Sequence, residues 1–200
     1  YLPVRYSGSS NFKSVSLFFR RKRLPSLQLA YMPSSQLSDI NGQVYENFYH
    51  SLNATLNHQY KLGLASAVSV LSFSRFFNES SDSGFIYYNA RNYYLNQHFQ
   101  FLSYTANLNI TRTISRDYTL TIMETGLSAR VWKSSQLGMG VKINQLDGRQ
   151  LRTGFYGNTR IAIPKLGELS AWAEKTWLPG WKGELIKNAF YNIGFTRFFK

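Results

Sequence analysis

Between Phe48 and Tyr60, apolar and polar residues alternate without a break. Phe48, His50, Leu52, Ala54, Leu56, His58 and Tyr60 take one phase; Tyr49, Ser51, Asn53, Thr55, Asn57 and Gln59 take the other. Period two places successive side chains on opposite faces of a strand. Strands in soluble proteins usually run about 5–6 residues, whereas a tilted membrane-crossing strand needs roughly 9–11. The apolar phase has amphipathic ends, His50 beside Phe48 and His58 beside Tyr60, around a Leu-Ala-Leu middle. Eight residues at about 3.3 Å rise, tilted by about 40°, span about 20 Å, which fits an apolar band between two interfacial girdles.

The pattern recurs. Leu102, Tyr104, Ala106, Leu108 and Ile110 alternate with Ser103, Thr105, Asn107, Asn109 and Thr111. Leu137, Met139, Val141 and Ile143 alternate with Gly138, Gly140, Lys142 and Asn144. The two clearest polar phases are uncharged, which suits a lumen better than an exposed soluble surface rich in Lys and Glu. Strands are predicted over 3–8, 12–22, 26–33, 45–61, 64–77, 84–92, 96–113, 118–132, 136–146, 149–163, 168–177 and 185–199. Short turns fall at Leu62-Gly63, Ser115 to Asp117, Asp147-Gly148, Pro164 to Gly167 and Pro179 to Gly183. Pro33 to Gln43 and Asn78 to Gly84 read as longer polar loops. The predicted fold is all-β: an antiparallel up-and-down transmembrane β-barrel of about 10–12 strands, whole or the C-terminal part of a larger one. Residues 1–200 form a single domain.

Composition agrees with strands. The chain has 14 Tyr and 15 Phe, and only 16 % of its residues are charged. Mean hydropathy is negative and no long apolar run occurs, which excludes a bundle of membrane helices but not a barrel. There is no cysteine, so disulfide scaffolds and thiolate metal sites are excluded. Lys and Arg number 23 against 10 Asp and Glu, for a net charge of +13. Such a chain seeks polyanions, although no nucleic-acid motif accompanies the charge. The missing initiator Met and signal peptide at Tyr1 indicate a mature product or a piece of a longer one.

The ending Asn188-Ala189-Phe190-Tyr191-Asn192-Ile193-Gly194-Phe195-Thr196-Arg197-Phe198-Phe199-Lys200 resembles the final strand of bacterial outer-membrane β-barrel proteins. In that class the last strand alternates aromatic and apolar residues and ends on an aromatic; here Lys200 follows Phe199. The Tyr, Phe and Asn content is similar to that of Bacteroidota outer-membrane proteins. The resemblance implies a multi-pass protein of a diderm outer membrane. It also implies an assembly signal in Tyr191, Ile193, Phe195 and Phe199, read by the barrel-assembly machinery. Outer-membrane lipid, lipopolysaccharide and other outer-membrane subunits would be further partners.

Candidate chemistry is sparse. His50, His58 and His98 sit on the apolar phase and read as girdle residues, with a catalytic base for a lipid substrate as the alternative. No histidine pair has metal-site spacing, and no metal or cofactor is expected. Glu124 and Glu174 lie within strands, where an ion pair with Lys142 or Arg130 is expected before catalysis. Ser51, Asn53, Thr55, Asn57, Ser103, Thr105, Asn107, Asn109, Glu124, Lys142 and Glu174 are the expected lumenal polar set. Arg20, Arg21, Lys22 and Arg23 could bind anionic headgroups or form a solvated turn. Trp172, Trp177 and Trp181 read as interfacial belt residues, or as a surface for sugars or protein.

The expected function is therefore non-enzymatic: a structural or docking subunit of an outer-membrane complex, or a narrow channel. The alternatives are a lipid-modifying barrel enzyme and a soluble β-sandwich that binds a polyanion.

Overall fold

The computed structural model describes residues 6–22, 24–40, 42–80, 89–132, 135–180 and 184–197. Its strands are β1 (Tyr6–Phe12), β2 (Val15–Phe19), β3 (Ser26–Ile40), β4 (Gln43–Leu62), β5 (Ala65–Ser80) and β6 (Ala90–Phe101). Then come β7 (Tyr104–Ile114), β8 (Thr119–Trp132), β9 (Ser135–Leu146), β10 (Gln150–Ile163), β11 (Gly167–Pro179) and β12 (Leu185–Arg197). From β3 onward each strand pairs antiparallel with the next, so spatial order follows chain order.

β1 and β2 both lie along β3, in line with each other. β2 pairs with the first part of β3 (Val15 with Tyr31) and β1 with the second (Phe12 with Ser34). The break between them has a local cause. Lys13 donates its N–H to the Pro33 carbonyl at 3.1 Å, but proline has no N–H to return.

Tight turns set the registers. Asp147 and Gly148 have φ of 51° and 69°, the two positive values of a type I′ turn, which Arg149 N–H closes by donating to the Leu146 carbonyl at 3.1 Å. Leu102 also has positive φ, 50°, in the turn between Phe101 and Tyr104.

The sheet is open. β1 with β2 forms one edge and β12 the other, and among the described residues no pairing joins them. This overturns the expected transmembrane β-barrel. Alternation gives each strand two unlike faces, but a flat sheet and a barrel need the same alternation. Closure is a separate condition on the first and last strands, with a fixed stagger between them. With it go the lumen, the channel, the outer-membrane docking subunit and the multi-pass outer-membrane location that the resemblance implied. The resemblance of the ending to outer-membrane proteins does not extend to the fold. No helix among the described residues is long and apolar enough to cross a membrane.

Several strand assignments also change. In place of strands 3–8 and 12–22 the described residues form β1 to Phe12 and β2 from Val15, and residues 78–80, read as loop, end β5. Residues 96–113 are not one strand, because a hairpin turn at Leu102-Ser103 divides them into the end of β6 and β7. Residues 33–40, read as loop, extend β3, and the turn to β4 is closed by Gly42 N–H donating to Asp39 Oδ1 at 2.8 Å. Of the predicted strand 84–92, residues 84–88 lie outside the described residues, and β6 begins at Ala90.

Register sorts the side chains onto two faces. One carries Leu29, Leu52, Leu71, Leu95, Ile110, Met123, Val141, Phe155, Ala173 and Tyr191, at least one from every strand from β3 to β12. The other carries Thr55, Ser72, Asn96, Asn109, Glu124, Lys142, Tyr156 and Glu174. Among the described residues no second layer of secondary structure covers either face. Among the described residues only Ala67, Leu146 and Leu185 are buried hydrophobics, while Leu127 on the apolar face is 66 % exposed.

Candidate functional site

The best-connected polar cluster lies on the polar face of β7 to β11. Lys142 Nζ is 2.5 Å from Glu174 Oε1 and 3.4 Å from Glu124 Oε2. Glu124 and Lys142 are register partners on β8 and β9. Glu174 is on β11, so Lys142 reaches it across β10, where its own register partner is Gly154. All three side chains are largely buried, which strengthens their attraction and raises the cost of losing one partner.

Tyr156 completes the cluster. It pairs with Gly140 on one side and Glu174 on the other, and hydrogen-bonds Asn107 and Glu124. Its ring fills a bay that two glycines leave open. A Cβ on Gly126 would lie 2.0 Å from the Tyr156 hydroxyl, and one on Gly140 would lie 2.3 Å from Cζ. Burial pushes the Tyr156 phenol pKa up, and the Glu124 charge adds to this against the Asn107 hydrogen bond and the Lys142 charge. For Lys142, burial pulls the pKa down, but Glu174 and Glu124 together outweigh it and the net direction is up. The lysine is thus held protonated between two carboxylates.

Beside it, β9 and β11 touch over β10. Asn144 donates through Nδ2 to Thr176 Oγ1 at 3.2 Å and to the Trp177 carbonyl at 2.8 Å. Asn144 is fully buried and its Oδ1 has no hydrogen-bond partner. Gly154 allows the approach, since a Cβ there would meet the Lys175 carbonyl oxygen at 2.2 Å. Chemically the cluster is an ion-pair brace. Its lysine is charged, and both carboxylates are committed to it.

The expected polar set divides. Ser51, Asn53, Thr55 and Asn57 share the polar face of β4, with Thr55 bonded to Ser72 at 3.1 Å and Asn53 to Ser51 at 3.1 Å. Thr105, Asn107 and Asn109 line the same face of β7, and Asn109 accepts from Asn96. Ser103 does not join them; it sits in the turn, where its carbonyl accepts from Arg130 N–H at 2.8 Å. These residues line an open face, not a lumen.

The histidines separate as well. His50 and His58 lie on the apolar face; His50 Nδ1 is 2.7 Å from the Tyr31 hydroxyl, and His58 stacks on Tyr60 at 5.1 Å. His98 lies on the polar face opposite Asn107, because the turn at Leu102 reverses the phase assumed for it. Trp172 and Trp177 fall on opposite faces, so they form no common belt. Trp177 Nε1 donates to the Thr153 carbonyl at 3.2 Å, and Trp172 stacks with Phe190 at 6.3 Å. Arg20, Arg21 and Lys22 are exposed between β2 and β3; Arg23, Trp181 and Phe199 lie outside the described residues. Tyr191, Ile193 and Phe195 stand on the apolar face of the edge strand β12, with Ile193 79 % exposed.

Sequence reasoning missed Tyr156, Gly126 and the Asn144–Thr176 contact. Only Gly138 and Gly140, alternating where side chains were expected, hinted that something else fills that face. Among the described residues no group of three or more His, Asp or Glu is arranged to hold a metal. No protein-family model matches this chain, and neither curated proteins nor solved structures show a match to it.

Proposed function

We propose that this chain is a non-catalytic assembly module whose apolar, cation-bearing sheet face docks on an acidic protein partner. The observation that carries this is the make-up of that face. Across β6 to β12 its register positions include Arg91, Arg112, Lys175 and Lys187 and no Asp or Glu. Between them stand exposed Leu127, Met139, Phe155 and Ile193. A sheet with one apolar face is stable when another layer covers it. The seven strands β6 to β12, at about 4.8 Å spacing and about 33 Å length, present roughly 1,100 Å² on that face. That exceeds the roughly 800 Å² per partner of a standard interface. A second copy is disfavoured because each chain carries +13.

The test uses three probes: alkyl-grafted polyacrylate, unmodified polyacrylate and the neutral detergent dodecyl maltoside. Sedimentation velocity should show the chain binding the grafted polymer more tightly than unmodified polyacrylate, and this binding should weaken with salt. Binding no tighter to the grafted polymer than to the unmodified one would overturn the proposal. Equal binding of the neutral detergent at every salt concentration would remove the acidic partner.

A further inference from the structure

At one end of the sheet, β5 and β6 place two arginines directly opposite each other. Arg75 and Arg91 are register partners. Like charges facing across a strand pair destabilise it. Both line a cavity of about 530 Å³ whose third cation, Arg116, comes from the turn between β7 and β8. No carboxylate lines it among the described residues. Asp117 follows Arg116 but is not part of the wall; its N–H is bonded to Ser115 Oγ at 3.2 Å.

Arg75 is held in place. Its guanidinium lies 4.9 Å from the Phe77 ring centre, and Phe77 stacks on His50 at 4.7 Å. His50 in turn bonds the Tyr31 hydroxyl, so a ladder across three strands positions the guanidinium. Cation–π contact orients a guanidinium without neutralising it, leaving its N–H donors for an anion.

We propose that Arg75, Arg91 and Arg116 form a binding site for a phosphomonoester dianion. Three guanidiniums from three elements can each give charge-assisted bonds to a different phosphate oxygen. A bound dianion would also relieve the repulsion between Arg75 and Arg91. This site does not rest on the docking proposal, since its ligand is a small anion and its readout is separate. The phosphate could be free in solution or carried on a lipid headgroup, and the chemistry at the arginines is the same.

The experiment titrates the full chain with inorganic phosphate by calorimetry at low salt. In parallel, co-sedimentation is measured with phosphatidylcholine vesicles with and without a minority of phosphatidic acid. Arg75→Gln, Arg91→Gln and Arg116→Gln are each expected to weaken binding about tenfold. Arg130→Gln, on an exposed arginine of β8 outside the cavity, is expected to bind as the parent does. Saturable phosphate binding lost in the three variants supports the site with a soluble ligand. Binding only to phosphatidic acid vesicles, lost in the same variants, supports it with a headgroup. Absence of binding in both arms overturns the site, as does equal weakening by Arg130→Gln. Arg91→Gln removes a like-charge pair and should fold at least as well as the parent by circular dichroism, which keeps the test open if Arg75→Gln fails to fold.

Discussion

Lys142 on β9 and Glu174 on β11 form an ion pair 2.5 Å long across the intervening strand β10. Glu124 holds the same lysine from β8, so one ammonium ties three strands together. Lys142→Met would leave the two carboxylates without their cation in a largely buried setting. The expected loss is about 2–4 kcal/mol, since removing one partner of a buried pair strands the other. Urea unfolding of K142M against the parent checks this; a difference near zero would show that water screens the cluster.

Alkaline pH should weaken the same cluster. Lys142 and Tyr156 both hold their protons more tightly when folded. Their contribution is complete below the ordinary values of 10.0 for tyrosine and 10.5 for lysine, and declines as pH rises through the folded values. Stability measured up the alkaline range should fall more steeply in the parent than in a Lys142→Met, Tyr156→Phe double variant. Parallel curves would contradict the assignment.

Gly126 and Gly140 both make room for Tyr156, but they differ in what else is near. Around Gly126 the close atoms are side chains, from Tyr156 and Asn107; at Gly140 the Thr125 carbonyl oxygen also lies 2.4 Å from a Cβ position. Gly126→Ala should cost about 1–3 kcal/mol in the parent and much less beside Tyr156→Ala. Gly140→Ala should remain costly in both backgrounds. A double-mutant cycle on thermal unfolding reads the coupling, and equal rescue of both glycines would refute the distinction.

Leu102 carries φ of 50° in the turn from β6 to β7 and is 71 % exposed. A branched side chain in that region is strained, and a glycine is not. Leu102→Gly is expected to raise stability by about 0.5–1 kcal/mol, while Leu102→Val lowers it. The denaturant midpoints of the two variants should move in opposite directions.

Strand character was legible because it is local. The thirteen residues Phe48 to Tyr60 alternate without exception and lie within β4. The turns at Leu62-Gly63, Asp147-Gly148 and Pro164 to Gly167 carried glycine or proline and fell where the hairpins are. The turn at Leu102-Ser103 carried neither, and missing it put His98 on the wrong face. For the polar cluster, residue types and phase pointed to Glu124, Lys142 and Glu174. That Lys142 could reach Glu174 depended on Gly154 letting the β11 backbone come close over β10, and that Tyr156 belongs there depended on Gly126 and Gly140. Neither follows from spacing along the chain.

By itself, then, the sequence determined long antiparallel strands with one apolar and one polar face, since period-two alternation and turn residues act over a few positions. Tertiary structure decided whether the first and last strands meet, and which distant residues share a point on a face. Register and closure depend on hydrogen bonds between segments far apart in the chain. The same alternation serves an open sheet and a closed one, so the sheet's open edges became visible only once β1 and β12 were placed.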